Sequence, residues 1–134
     1  VTSTVSQFGD SYCSLAWGSK LAKLADAETA GGIIAGEVPE ELSAREAALC
    51  AWCRTVVRDP MTTTAEQVDA LRAAGFDDRE IFEATLLLSL RLAFSTVNDS
   101  LGAEPDRQLA DGVPGPVRAA VTFGRPVAET PSLT

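Results

Sequence analysis

Histidine is missing altogether from the 134-residue chain. That absence removes Ser/His/Asp and Cys/His catalysis, His-ligated metal sites and an imidazole switch near neutral pH. Cysteine is scarce, and Cys13, Cys50 and Cys53 are too few for a disulfide framework and odd in number. Such usage fits a reducing compartment and therefore a cytoplasmic protein. Split between two helices, these cysteines supply no metal ligand set of usual spacing, so no metal or cofactor is expected. Basic residues are also short: eleven Lys and Arg face nineteen Asp and Glu, for a net charge of −8. Without a basic run to follow phosphates or an anionic bilayer, nucleic acid and membrane surfaces are not expected partners. Long hydrophobic runs are lacking as well. The stretch from Ile81 to Val97 is interrupted by Glu83, Ser89 and Arg91 and is too short and too charged to span a bilayer. Val1 to Gly9 has neither the basic nor the apolar region of a signal peptide.

What the chain does have is core material, with 46% hydrophobic and 22% charged residues in a length that suits one domain. A single domain is expected over residues 1–123, followed by a ragged, Pro-rich C-terminal tail over 124–134. Helix caps divide it and predict an all-α fold. Ser43-Ala-Arg-Glu46 is a capping box that opens a helix carrying Leu49, Trp52, Cys53 and Val56, which ends before Asp59-Pro60. Thr63-Thr-Ala-Glu66 opens a short amphipathic helix that ends at Gly75, and Asp77-Asp-Arg-Glu80 opens a central helix that runs to Leu101 and Gly102. Apolar residues surround most of that central helix from Ile81 to Phe94, so it should be enclosed by other helices or by a second subunit. This predicts a homo-oligomer. Upstream, Tyr12 to about Asp26 reads as a helix, after which Gly31-Gly32 and Gly36 are expected to break the chain. Downstream, loops are expected at Glu104-Pro-Asp and Gly112-Val-Pro-Gly-Pro, with Pro116 starting a short helix to Phe123.

Two cysteine settings are candidates for chemistry. Cys50-Ala-Trp-Cys53 has the CxxC spacing but lies at least two turns inside its helix, where no free N–H group stabilises a thiolate. Both thiols are expected to be buried, reduced and structural. Cys13 falls in the first turn of its helix, after the turn at Gly9 and Asp10, where a helix N-terminus lowers a thiol pKa while Asp10 raises it. Trp17 and Trp52 read as core or interface aromatics, and Asn98-Asp99 as polar interface or pocket-lining contacts.

The segment Gly9-Asp-Ser-Tyr-Cys-Ser-Leu-Ala-Trp-Gly18 resembles the Cys-x-Tyr-Cys-x-x-x-His segment of AhpD-like alkylhydroperoxidases, in the carboxymuconolactone decarboxylase superfamily. Ser43-Ala-Arg-Glu-Ala-Ala-Leu, Val57-Arg-Asp-Pro60, Ala70-Leu-Arg-Ala-Ala-Gly-Phe76 and Phe94-Ser-Thr-Val-Asn-Asp-Ser-Leu-Gly102 extend the similarity over residues 8–106. The resemblance implies an AhpD-like helical bundle, self-association, and thiol-dependent peroxide reduction with a small hydroperoxide and a thiol reductant as partners. It also implies a site at Cys13, Asp10 and Trp17, where the family has its second Cys, its first Cys and its His. The family's relay Glu has no counterpart, because none of the nine residues before Asp10 is acidic. Family members usually carry helices before this segment, so the chain is expected to be the later part of a longer protein or one whose start differs. Two function classes follow: a peroxidase-related protein with a degenerate redox site and weak one-cysteine chemistry, or a non-catalytic oligomeric scaffold or small-molecule binding module. A reactive, partly exposed Cys13 at a pocket separates the first from the second, in which the thiol is packed and inert.

Overall fold

Cap chemistry sets the helix boundaries in the computed structural model, which describes residues 1–129. The described residues form eight α-helices and no strand: α1 (Thr2–Phe8), α2 (Ser11–Leu24), α3 (Ala27–Ile34), α4 (Ala44–Arg58), α5 (Ala65–Ala73), α6 (Asp78–Ser100), α7 (Arg107–Asp111) and α8 (Gly115–Ala120). The all-α expectation holds. Complete capping boxes open α4 at Ser43 and Glu46 and α6 at Asp77 and Glu80. The box that opens α5 is shifted by one residue, to Thr64 and Gln67. A 3₁₀ turn over Pro60–Thr62 is responsible, because it draws the Thr63 hydroxyl onto the Pro60 carbonyl and leaves Thr64 as the cap. Gly75 and Gly102 follow α5 and α6 at φ 94° and 81°, the left-handed conformation that closes a helix without steric cost.

Two hydrophobic clusters divide the interior. Leu15, Ala30, Ile34, Ala110, Val113 and Val117 pack α2 and α3 against α7 and α8. Trp52, Cys53, Val56, Leu71, Ile81 and Leu88 pack α4 against α5 and α6. Helix α1 touches α2 and α3 on one side and α4 and α6 on the other, with Thr2, Ser3, Thr4 and Val5 all buried. It is polar in sequence yet interior in position, and so joins the two halves.

The expected break at Gly31-Gly32 does not occur, since α3 runs through both. A Cβ at Gly31 would lie 2.9 Å from the Pro116 carbonyl oxygen, and one at Gly18 would lie 2.6 Å from Ile34 Cδ1. These glycines serve close helix contact rather than turning. Helices α3 and α8 approach at backbone distance, and the helix propensity lost at glycine is offset by packing. Of the expected C-terminal tail, residues 124–129 are tied back onto the domain. The Ser11 hydroxyl donates to the Arg125 carbonyl at 2.7 Å, and the Ala128 N–H donates to the Pro105 carbonyl at 2.9 Å. The rest of that tail, 130–134, lies outside the described residues.

Enclosure of α6 is met only in part. Ile81 and Leu88 enter the second cluster, while Phe82, Leu86, Leu90, Phe94, Val97 and Leu101 remain exposed. Those six follow one another at spacings of four or three residues, so they form one continuous apolar face along the helix. None of the described helices is long and apolar enough to cross a membrane.

Candidate functional site around Cys13

At the end of α1, Gly9 adopts φ 96° and turns the chain into Asp10, the N-cap of α2. The Asp10 Oδ1 accepts the backbone N–H of Cys13 at 2.8 Å, which makes Cys13 the third residue of the helix. This is the first-turn position that the spacing predicts. One residue of α2 thus supplies the thiol, and the cap residue already occupies the N–H group of that turn.

Helix α6 closes over the thiol. Arg91 Nη2 donates to Cys13 Sγ at 3.7 Å and Asn98 Nδ2 at 3.8 Å, with the buried Ser95 between them on the same face. Cys13 is 2% exposed and Asp10 is fully buried. Burial, and next the Asp10 carboxyl beside it, push the Cys13 thiol up to about 11; Ser95 and the Arg91 charge oppose that shift without overcoming it. At neutral pH roughly one thiol in ten thousand is ionised at such a value. Asp10 Oδ2, Arg91 Nε and Ser95 Oγ are buried without a hydrogen-bond partner among the described residues. Asp99, next to Asn98, also has a raised carboxyl pKa, first from burial and then from the Asp10 charge, with Arg125 acting against both.

Trp17 lies one turn beyond Cys13 and is half-buried. It stacks on two cations, with Lys20 Nζ 4.2 Å and the Arg91 guanidinium 5.1 Å from its ring centre; Arg91 also sits 4.7 Å from Phe94. Trp17 therefore holds Arg91 over the thiol rather than handling a proton, since an indole N–H is a donor only. The structure thus brings Cys13, Asp10 and Trp17 together. Arg91 and Ser95 were not among the expected site residues, although their signal is in the sequence. Arg91, Ser95 and Asn98 are polar at i, i+4 and i+7 and so share one face of α6.

Cys50 and Cys53 stand apart from this site, on α4, and line a cleft with Val1 and Ser3 of the α1 region. All three cysteines are free thiols. Cys53 is buried and its thiol pKa is raised by that burial, as expected for a structural residue. Cys50 departs from expectation in being only half-buried, because only Cys53, one turn on, also packs into the second hydrophobic cluster. Trp52 is the expected core aromatic, and its indole N–H donates to the Thr85 hydroxyl at 3.0 Å.

Compared with protein-family models, curated proteins and solved structures, the chain matches none of them.

Proposed function

We propose that the chain is a non-catalytic oligomeric helical module that keeps an AhpD-like fold and self-association, with Cys13 packed and inert toward peroxide. The observation that carries this reading is the state of Cys13, 2% exposed and titrating at about 11 beside a buried carboxyl. A peroxidatic thiol must be ionised and reachable, and a dithiol cycle needs a second thiol within reach. Cys13 is neither ionised nor open, Asp10 stands where the resolving thiol of the family would be, and the other two cysteines lie on α4. The exposed apolar face of α6 supports the other half of the proposal, a homo-oligomer in which a second copy covers Phe82, Leu86, Leu90 and Phe94.

The test is hydroperoxide consumption with a dithiol reductant, measured on the wild type, on Cys13→Ser and on the double change Asp10→Cys with Trp17→His. Equal background rates in the first two, with a gain in the third, are expected. Fast turnover in the wild type that disappears in Cys13→Ser would overturn the reading and restore an active peroxidase.

A further inference from the structure

Cys50 and Cys53 are the two thiols outside the Cys13 site, and both line one cleft of about 180 Å³. Leu21, Ile33, Leu42 and Leu49 give that cleft apolar walls. The one acidic residue lining it among the described residues, Glu46, is already engaged, since its Oε2 accepts the Ser43 N–H at 2.9 Å and the Ser43 hydroxyl at 2.8 Å. The cleft thus offers two sulfurs and a hydrocarbon lining.

Helix α4 runs unbroken through both cysteines, so at a spacing of three residues they share a face with Cβ atoms about 5–6 Å apart. A disulfide draws the Cβ atoms to about 3.5–4.5 Å across an S–S bond of about 2.05 Å, which the helix does not allow without distortion. Both remain free thiols. A soft atom placed between the sulfurs relaxes that constraint, because it adds a second bond, of about 2.3 Å each in the case of zinc, and so spans a wider gap. No group of three or more Cys, Asp, Glu or His able to hold a metal ion occurs among the described residues. An ion that needs four protein ligands is therefore poorly served, whereas a centre that needs two sulfurs and brings its own apolar substituent is matched at both ends.

We infer that Cys50 and Cys53 form a dithiol site for a trivalent organoarsenical, with arsenic bridging the two sulfurs and its apolar substituent seated among Leu21, Ile33, Leu42 and Leu49. An apolar cavity of about 150 Å³ accommodates a benzene ring, so a phenyl substituent suits this cleft. With phenylarsine oxide, two S–H bonds and the arsenic–oxygen bond break, two S–As bonds form, and both protons leave with the oxygen as one water. Arsenic stays trivalent and nothing is oxidised. Cys13, on α2 and 2% exposed, is a lone thiol that offers no chelate. The inference does not rest on the proposed function.

Intact-mass titration of the full chain with phenylarsine oxide, in the presence of excess glutathione, tests it. The wild type and Cys13→Ser should each hold one equivalent, released by a small dithiol but not by glutathione. Cys50→Ser and Cys53→Ser, each reduced to one thiol at the cleft, should hold it about 100-fold more weakly. Arsenite, which lacks the ring, should bind the wild type about tenfold more weakly or worse. If Cys53→Ser loses its fold by circular dichroism, Cys50→Ser carries the comparison, since Cys50 is only half-buried. Absence of an adduct, an adduct that survives in Cys50→Ser, one lost in Cys13→Ser, or arsenite bound as tightly as the phenyl compound overturns the inference.

Discussion

Asp10 and Cys13 share the first turn of α2, where the Asp10 carboxyl accepts the Cys13 backbone N–H at 2.8 Å. The residue that caps the helix therefore also sets a carboxyl against the thiol. A helix N-terminus favours a thiolate by about 0.3–1 kcal/mol at exposed sites. Here that benefit is consumed by the cap, and desolvation of the buried Cys13 thiol outweighs what remains.

Alkylation of Cys13 in the folded protein should accelerate with a midpoint at about pH 11. Asp10→Asn, which preserves a capping oxygen and removes the charge, should lower that midpoint. Arg91→Met should raise it, because the guanidinium is the positive charge acting on the sulfur. Mass spectrometry of a Cys50→Ser, Cys53→Ala background isolates the signal, and a wild-type midpoint below 9 contradicts the closed-site account.

The same shift makes stability depend on pH with a definite sign. Cys13 titrates at about 11 in the folded chain and near the ordinary thiol value of 9.0 in the unfolded chain, so the native state holds the proton more tightly. The stability linked to the neutral thiol is complete below pH 9 and is lost progressively as pH rises from 9 to about 11. Denaturation of the wild type and of Cys13→Ala at several pH values should show a steeper alkaline decline in the wild type. Parallel declines would count against this.

Gly31→Ala should destabilise by about 1–3 kcal/mol even though alanine is the better helix former. Its Cβ would press on the Pro116 carbonyl at 2.9 Å, a backbone atom that cannot swing aside. Urea unfolding measures the difference, and a stabilised variant would show that α3 and α8 are not held at this contact.

Sequence marked most of the helices here because caps are local. The boxes at Ser43 and Asp77 need only residues three positions apart, and both open helices as expected. Helices α1, α3 and α7 were not foreseen, for reasons that are tertiary. Thr2 to Val5 is buried by neighbours on both sides, and Gly31 sits inside a helix as the point where Pro116 comes close rather than as a break. A short turn capped by Asp106 was hidden by the proline beside it. At the candidate site, the placement of Cys13 and the opposing effect of Asp10 were legible from spacing and charge. Asn98 read as a pocket-lining contact and Arg91 and Ser95 share its face, but that this face closes over Cys13 was not legible, because it depends on α6 crossing α2 at a sequence separation of about eighty residues.

Leu90→Glu should break self-association without unfolding the chain. Leu90 is 60% exposed at the middle of the apolar face of α6, with Leu86 and Phe94 one turn to either side. A substitution at so exposed a position usually changes monomer stability by about 0.5 kcal/mol or less. At an interface centre, by contrast, it buries an unpaired charge on each copy, which costs several kcal/mol. Leu88→Ala is the converse control, since Leu88 is buried in the second cluster and its truncation should lower stability by about 2–5 kcal/mol with the association surface intact. Light scattering with thermal unfolding separates the two. A wild type that is monomeric at micromolar concentration, or a Leu90→Glu variant that still assembles, would show that this face is covered by something other than a second copy.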